Sequence, residues 1–347
     1  MTVMAVTMQD VARAAGVSVK TVSNVVNGYP YIRDTTKEKV LSAIADLGYQ
    51  MNATARSLRS GKTGMIGLAV PELSLPYFAQ LADAVIQHAE ARGLTVLIEQ
   101  TGADPARERE ALHGHRRQLT DGLIMSPLAL GPDDVDTFTV RYPLVLLGER
   151  VFNANADHVT MHNVEGARAA TSHLITQGCQ RIAVIGAHEG EVMGSAKLRT
   201  EGYLQALADH GIDADPTLIR EAGLWHRSTG AQALFQLLDD GVEFDGIFAL
   251  NDAMALGALY ALHTRRVAVP DQVKVIGFDD IDDARYSFPP LSSVDPGRDH
   301  IARTAVDLLH ERIEQPTDDH TPQKIIADYT IIARASSGGD GTTLVTA

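Results

Sequence analysis

Short apolar runs alternate with segments of helical periodicity along the chain from residue 64 onward. Runs with the length of buried strands occupy residues 65–70, 94–100, 121–127, 143–149, 181–187, 245–251 and 273–280. Strands that alternate with helices pair in parallel, and the helices then cover the faces of the sheet. The alternation therefore predicts an α/β body built on parallel sheets.

The body shows none of the sequence motifs that bind nucleotides or metals. No glycine-rich phosphate loop follows any of the predicted strands, so we expect no nucleotide cofactor. No metal-ligand spacing is present, and we interpret the HGH at residues 113–115 as part of a solvated helix rich in Arg and Glu. A nucleophile elbow is also absent. We therefore expect a protein that is not an enzyme and that needs no cofactor or metal.

Cysteine content and hydropathy bear on the compartment. The single cysteine, Cys179, cannot form an internal disulfide, and we interpret it as the inert thiol of a cytosolic protein. The first residues show neither the basic nor the apolar region of a signal peptide, and no run approaches the roughly 18 apolar residues of a membrane span. We therefore expect a cytoplasmic protein with no membrane partner.

Charge is distributed unevenly along the 347 residues, which carry a formal net charge of -14. Residues 1–62 hold eight Lys and Arg but only four Asp and Glu, a balance of +4, so the remainder carries -18. A basic module on an acidic chain suggests that the module approaches a polyanion while the larger body stays clear of it.

Residues 7–28, TMQDVARAAGVSVKTVSNVVNG, predict two short helices joined by an Ala-Gly-Val turn. Thr7 and Ser18 are suited to cap the two helices, and Gly16 supplies the tight turn between them. A third helix is predicted to begin near residues 35–36 and to end at Gly48. The residues expected inside this three-helix head are Val11, Ala12, Ala15, Val22, Val25, Val26, Val40, Leu41, Ile44 and Leu47.

The outer side of the second predicted helix carries Lys20, Ser23, Asn24 and Asn27, and no acid. An ordinary amphipathic helix with a solvated face would show the same pattern. In helix-turn-helix heads, however, the second helix lies in the major groove. Lys20 could there donate to guanine or to phosphate, and Asn24 could pair with adenine or another base edge. The short hydroxyl and amide side chains beside them suit phosphate contacts.

Residues 6–28 match the pattern T-x-x-D-V-A-x-x-A-G-V-S-x-x-T-V-S-x-V-x-N throughout. This pattern resembles the head of the lactose-repressor/galactose-repressor (LacI/GalR) family of bacterial transcription regulators. The resemblance implies a helix-turn-helix DNA-binding domain over residues 1–50, with double-stranded operator DNA as its partner. The DNA-contacting residues implied for the head and the segment after it are Thr7, Ser18, Val19, Lys20, Thr21, Ser23, Asn24, Asn27, Tyr31, Arg56, Leu58 and Arg59.

Residues 52–64, NATARSLRSGKTG, favour a helix of about two turns, which is too short to be stable alone. A plain linker is the alternative interpretation. The resemblance implies a hinge helix and linker over residues 51–62, which folds against its dimer mate on DNA. Leu58 would then enter the minor groove at the central base step, where an apolar wedge unstacks and bends the duplex.

Polar and aromatic side chains follow the predicted strands of the body. In open α/β sheets ligands bind beyond the carboxyl ends of the strands. Aromatic faces suit the C–H groups of sugars and charged side chains suit their hydroxyls, so these residues indicate a polyol site. Taken singly, each could equally be a core residue or a helix cap. The candidates are Tyr77, Phe78, Ser126, Glu149, Arg150, Arg199, Trp225, Asn251 and Asp279.

Residues 63–335 resemble the two-lobed, periplasmic-binding-protein-like effector and dimerisation domain of the same family. The resemblance implies that Arg199, Asn251 and Asp279 bind effector. It also implies three crossovers between the lobes, near residues 163, 293 and 322. The implied lobes are residues 63–163 with 294–322, and 164–293 with 323–335. We expect residues 336–347, which contain no leucine heptad, to be disordered.

Head and body together predict an effector-responsive DNA-binding regulator. We expect a repressor of carbohydrate-utilisation genes that binds a pseudo-palindromic operator as a homodimer and is released by a small sugar. A regulator that uses a nucleobase or another small molecule as corepressor is the alternative. A stand-alone sugar-binding receptor would share the body, but the head and the missing signal-peptide features disfavour it.

Overall fold

The computed structural model describes residues 6–26, 29–49, 62–317 and 320–345. The chain divides into two compact units, a head over Met1–Thr63 and a body over Gly64–Ala347. Across the described residues, every helix is too short or too polar to cross a bilayer.

The head contains three helices: α1 (Met8–Ala15), α2 (Val19–Val26) and α3 (Asp34–Leu47). Thr7 caps α1 in a reciprocal capping box: its hydroxyl oxygen accepts from the Asp10 amide at 3.3 Å, and the Asp10 carboxylate accepts from the Thr7 amide at 3.0 Å. Gly16 ends the helix in the left-handed conformation, with φ of 67°, as the predicted turn requires. Val11, Val22 and Val40 bring one fully buried side chain from each helix into a common core.

The inner side of α3 is narrower than its sequence suggested. Leu41 and Leu47, which were expected inside, are 48% and 37% exposed. Val40 and Ile44 face the core as expected, and with Ala43 they form a single helix stripe at the i, i+3, i+4 spacing. Two short helices offer α3 only this stripe to pack against, so the leucines beside it remain at the surface.

The first lobe of the body is a six-stranded, wholly parallel sheet. Its strands are β1 (Met65–Val70), β2 (Thr95–Gln100), β3 (Gly122–Met125), β4 (Leu144–Leu147), β5 (Asp157–Met161) and β11 (Lys324–Ala327). They lie in the order β11-β5-β4-β3-β1-β2. Its helices are α4 (Pro76–Glu90), α5 (Pro105–His113) and α11 (Arg298–Glu314). Separate apolar clusters cover the two faces of this sheet, as the alternation of strands and helices predicted.

The second lobe is a seven-stranded sheet of order β13-β12-β10-β9-β8-β6-β7. Its strands are β6 (Ile182–Ala187), β7 (Ile219–Glu221), β8 (Gly246–Ala249), β9 (Lys274–Phe278), β10 (Ser292–Asp295), β12 (Thr330–Ala333) and β13 (Thr342–Val345). The last two strands pair antiparallel and the others pair parallel. Its helices are α6 (Asn163–Thr176), α7 (Ser195–Asp209), α8 (Arg227–Asp239), α9 (Asp252–Thr264) and α10 (Asp282–Tyr286).

The chain passes between the sheets three times, after β5, after β10 and after β11. The third passage lies between Ala327 and Thr330, not near residue 322 as the sequence analysis expected. β11 pairs parallel with β5, from Lys324 opposite His158 to Ala327 opposite Met161. This pairing covers the exposed side of β5, and residues 324–327 therefore belong to the first lobe.

The expectation of a disordered C-terminal tail is wrong for the residues that the structure describes. Residues 335–337 form a turn of 3-10 helix in which Ser336 and Ser337 are fully buried. β13 then pairs antiparallel with β12, with Thr342 opposite Ala333. Strand pairing uses backbone groups, so it does not require the apolar heptads whose absence suggested disorder.

A buried carboxylate holds the loop that follows β3 and leads away from Ser126. Glu108, on α5, is fully buried. One of its oxygens accepts from the amides of Leu128 and Ala129 at 2.8 and 2.9 Å, and the other accepts from Leu130 at 2.8 Å. Three donors converge on one side chain, so the loop is fixed by an acceptor distant in sequence.

We predict that Glu108→Gln destabilises the folded protein by about 1–3 kcal/mol, because the new amide nitrogen cannot accept from a buried N–H. Urea unfolding followed by circular dichroism measures the change. Glu110→Gln removes the same charge from an exposed position on the same helix and should change stability by less than about 0.5 kcal/mol. Equal unfolding curves for the two variants would contradict the assignment.

Candidate functional site

The second helix of the head presents an exposed surface without acidic residues. Lys20 is exposed, Val19 beside it is 41% exposed, and α2 contains no acid. The Ser18 hydroxyl caps the helix by accepting from the Thr21 amide at 3.1 Å. Asn24, one turn beyond Lys20, is half-buried. An ammonium group, two hydroxyls and an amide thus lie along one stretch of helix.

The other predicted DNA-contacting residues differ in exposure, and four of them lie outside the described residues. Ser23 does not lie on the outer side of α2, where the sequence analysis placed it, because it is only 6% exposed. It precedes Val26 by three residues, so both lie on the same helix face. Tyr31 is 83% exposed and meets Tyr29 edge to face. Outside the described residues lie Asn27, Arg56, Leu58 and Arg59.

A cavity of about 460 Å³ lies between the two lobes of the body, beyond the carboxyl ends of their parallel strands. This volume is within the usual range of small-molecule sites in proteins. The structure brings together all nine candidate residues on its wall: Tyr77, Phe78, Ser126, Glu149, Arg150, Arg199, Trp225, Asn251 and Asp279.

Arg199, on α7, occupies the centre of this wall and is only 3% exposed. Its Nε donates to Asn163 Oδ1 at 2.8 Å, and its Nη1 donates to the Leu250 carbonyl. The guanidinium lies over the ring of Phe278, 3.6 Å from the centroid. The Asp279 carboxylate is 3.6 Å from Nη1. These contacts fix the plane of a group that carries five N–H donors.

Asp279 follows β9 and is 5% exposed. Burial raises the pKa of its carboxyl to about 7, against the opposing effect of Arg199 and Arg298, and Glu149 adds to the rise. An ionised carboxyl accepts hydrogen bonds, whereas a protonated one can also donate. The hydrogen bonds that this wall offers a ligand therefore change near neutral pH.

Aromatic side chains reach the cavity from both lobes. Tyr77 and Phe78 lie on the first turn of α4 and meet edge to face, with ring centroids 5.3 Å apart. From the second lobe, the Trp225 indole donates to the Gly186 carbonyl at 3.0 Å. Asn251 donates to the Trp225 carbonyl at 3.1 Å. One hydrogen bond thus holds the indole and another holds its backbone, and the ring adds an apolar face to a polar cavity.

Polar contacts join the lobes at the cavity. Glu149, from the first lobe, accepts from Asn163 Nδ2 at 3.3 Å and from the Ser195 hydroxyl, both in the second lobe. Arg150 donates to the Met193 carbonyl at 2.7 Å. These two candidate residues therefore already have partners across the cleft.

A second set of contacts between the lobes was not foreseen from the sequence. Glu72 and His226 approach to 2.9 Å, and Arg150 lies 3.5 Å from Glu191. Glu72, Glu191 and His226 all line the cavity, as do His188 and Ser195. None of these residues was among the candidates, although Glu72 and His188 come just after the predicted strands β1 and β6 and Ser195 is the first residue of α7.

Asn163 was also missed, although it bridges Arg199 and Glu149. It follows β5, whose polar sequence DHVTM lacks the apolar character of the strands that were predicted. The rule that places functional residues after parallel strands would have found it if β5 had been recognised.

The arrangement offers hydrogen-bond donors and acceptors around aromatic faces. Within residues 6–26, 29–49, 62–317 and 320–345, no cluster of three or more His, Cys, Asp or Glu is placed to hold a metal ion. A polyhydroxylated small molecule could satisfy the carboxylates and guanidinium groups of the wall and cover its aromatic rings.

Two family models match separate parts of the chain. Residues 7–52 match the bacterial regulatory proteins of the lacI family, a range that includes all three helices of the head. Residues 171–337 match a periplasmic binding protein-like domain, a range that holds most of the second lobe. The two matches correspond to the two compact units.

Known repressors are similar to the chain over most of its length. It is 32% identical to the HTH-type transcriptional repressor PurR of Haemophilus influenzae (strain PittEE), over 92% of this chain and 97% of that protein. It is 33% identical to the Ribose operon repressor of Halalkalibacterium halodurans, over 96% and 98% of the two chains. The lac repressor dimer bound to operator and the anti-inducer ONPF matches with a TM-score of 0.81 at 28% identity, covering 96% of this chain and 99% of that one.

These similarities extend through head and body together. Both repressors exceed 30% identity, and the chain covers nearly their whole length. The solved structure shares the combination of a helix-turn-helix head with a two-lobed body built on parallel sheets. The chain therefore belongs to the lacI family of bacterial regulatory proteins.

Proposed function

We propose that this protein is a cytoplasmic repressor that binds a pseudo-palindromic operator as a homodimer and releases it when a small sugar enters the cavity. One observation carries the proposal: a single chain combines an acid-free helix surface on a helix-turn-helix head with a polyol-suited cavity in its body. No catalytic step forms part of the function. The two similar repressors support control of transcription as the role.

The cavity wall favours an uncharged sugar as the effector. Its carboxyl groups outnumber its guanidinium groups: Glu72, Glu149, Glu191 and Asp279 against Arg150 and Arg199. A phosphorylated ligand would bring further negative charge to this wall, which disfavours it. Hydroxyl groups can donate to the carboxylates and accept from Arg199. Similarity to a ribose operon repressor also supports a sugar.

An apolar strand edge on the first lobe supports the proposed homodimer. β2 is the edge strand of its sheet, and Leu97 and Ile98 are 38% and 40% exposed. The 3-10 turn His115–Leu119 joins this edge through an ion pair of Arg116 with Glu99 at 3.0 Å, and Leu119 is 55% exposed. Exposed apolar edge strands invite association, so a second copy is the proposed cover.

Lys20→Ala tests the proposed DNA surface. If Lys20 contacts base edges, the variant should bind its best operator about 1–3 kcal/mol more weakly and should tolerate more sequences at the contacted pairs. A selection from randomised DNA, followed by gel-shift titration of the selected sites, measures both effects. The selected wild-type sites should contain two half-sites, because a dimer presents two heads.

Lys39→Ala is the matched control, because it removes the same charge from an exposed position on α3. It should weaken binding to all DNA sequences equally, because it removes only salt-dependent attraction to the phosphates. Identical sequence preferences for Lys20→Ala and the wild type would overturn the assignment of α2 to the major groove.

The effector is tested by calorimetric titration of the wild type with ribose, galactose, cellobiose, lactose, adenine and guanine. We expect one of the sugars to bind, to change the fluorescence of Trp225 and to weaken operator binding. Asp279→Asn should bind that sugar roughly 10- to 100-fold more weakly, because a hydrogen bond to a charged acceptor contributes about 1.5–3 kcal/mol. Operator binding without sugar should be unchanged.

Asp282→Asn is the control for this variant, since Asp282 is exposed and lies three residues further along the chain. It should bind the sugar as the wild type does. Binding of a nucleobase with no response to any sugar would contradict the sugar proposal and favour a nucleobase effector.

The sugar affinity should also depend on pH through Asp279. A hydroxyl that donates to the ionised carboxylate lowers the pKa of Asp279 in the complex below the value of about 7 in the free protein. Affinity should therefore be constant above about pH 8 and fall by up to about tenfold per unit as pH drops below 7. Calorimetry between pH 5.5 and pH 8.5 measures the profile, and Asp279→Asn should flatten it.

A further inference from the structure

The loop that carries Asp279 has a backbone conformation that needs support. Asp279 and the next residue, Asp280, have φ of 113° and 43°, both in the left-handed region. Residues other than glycine rarely adopt such conformations, which persist only where the surroundings enforce them. Residues packed around this loop must therefore hold it.

The carbonyls of residues 279 and 280 accept from Arg298 Nη1, and the amides of residues 280 and 281 are held through the Asp252 side chain. Asp252 is the first residue of α9 and is fully buried. Its Oδ2 accepts from the Ile281 amide at 2.9 Å, and its Oδ1 accepts from the Ser293 hydroxyl at 2.7 Å. The Ser293 oxygen in turn accepts from the Asp280 amide at 3.0 Å. One carboxylate thus reaches two successive amides of the loop, one directly and one through Ser293.

The neighbouring strand is shaped to admit this carboxylate. Gly277, on β9, has no side chain, and a Cβ built on it would overlap Asp252 Oδ1. Any larger residue at this position would displace the carboxylate from the loop. The contact therefore depends on three elements: the start of α9, β9 and β10.

The preceding residue supports the other side of the cavity in a similar way. Asn251 Oδ1 accepts from the Met254 amide at 2.8 Å and caps α9, while its Nδ2 donates to the Trp225 carbonyl. Two adjacent side chains thus fix two segments that face the cavity. Asp252 itself does not line the cavity, whereas Asn251 and Asp279 do.

We propose that Asp252 is a positioning residue for the effector site, which holds the Asp279 loop in its cavity-facing conformation without touching the effector. The proposal rests on the proposed function only in taking Asp279 as a residue that contacts the effector. Asp252 acts through the amides of residues 280 and 281, so its removal should loosen those two residues before any other part of the lobe.

Hydrogen–deuterium exchange at single-residue resolution tests this on the full-length protein without any ligand. Asp252→Ala should speed exchange at both residues 280 and 281 by at least about tenfold. The Ile281 amide loses its acceptor, and the Asp280 amide keeps an acceptor, Ser293, that Asp252 no longer holds in place. Ser293→Ala removes only the link to Asp280 and should speed exchange at residue 280 while residue 281 stays protected. Asp252→Asn keeps an oxygen for Ile281 and should restore protection there.

Asp245→Ala is the matched control, because Asp245 lies at the opposite end of β8. Its two oxygens accept from the amides of Gln180 and Arg181 at 2.8 and 2.9 Å. The variant should speed exchange at residues 180–181 and leave residues 280–281 unchanged. If Asp252→Ala fails to fold, Ser293→Ala alone still separates residue 280 from residue 281.

Titration with ribose and with cellobiose gives the functional readout. For whichever sugar binds the wild type, Asp252→Ala should weaken binding at least about tenfold, and Asp245→Ala should not. Unchanged exchange at residues 280–281 in Asp252→Ala, or unchanged sugar binding despite faster exchange, would overturn the proposal. If neither sugar binds the wild type, the same titrations are made with galactose and lactose, and the sugar assignment fails if none of the four binds. The exchange pattern decides the role of Asp252 in either case.

Discussion

A guanidinium that is almost wholly buried must be surrounded by acceptors, and Arg199 imposes this requirement at the centre of the body. Its partners come from the start of α6, the end of the segment after β8, and the loop after β9. The carboxyl ends of β8 and β9 place two of these partners at one edge of the second sheet, and the third comes from the passage after β5 of the first sheet. The position of the charge and the topology of the lobe therefore depend on each other.

The same charge connects the two lobes through Asn163. The asparagine accepts from Arg199 with its oxygen and donates to Glu149 with its nitrogen, so its orientation is determined by both neighbours. A ligand that competes for Arg199 or Glu149 must alter this bridge. A molecule between the lobes can shift the equilibrium between their arrangements only by interacting differently with each, and this bridge provides such a difference.

The sequence predicted those parts of the fold that local chemistry decides. Strands of a parallel sheet are buried on both faces and therefore consist of continuous apolar residues. Residues 65–70 and 182–187 are such runs, and both form strands. The caps at Thr7 and Ser18 were visible because an oxygen side chain precedes a helix there. The nine candidate residues all line the cavity, because chain order along parallel strands determines which loops meet.

The elements and contacts that were not predicted depend on partners distant in the sequence. β5 and β11 are polar or short, and each becomes a strand by pairing with its neighbour. Ser23 was misplaced because it lies at the boundary between the two sides of α2, where α1 and α3 determine burial. The contacts of Asp252 with residues 281 and 293 could not be predicted from the sequence, since they are made only in the folded lobe.

The three passages between the sheets have a consequence for gene-level engineering. Each lobe is assembled from separate stretches of the chain. Residues 298–327 belong to the first lobe, although they follow most of the second lobe in the sequence. A single recombination point therefore cannot exchange one whole lobe for that of a relative. A chimaera with a transplanted second lobe would need matched junctions at all three passages, and it would also have to carry residues 330–345.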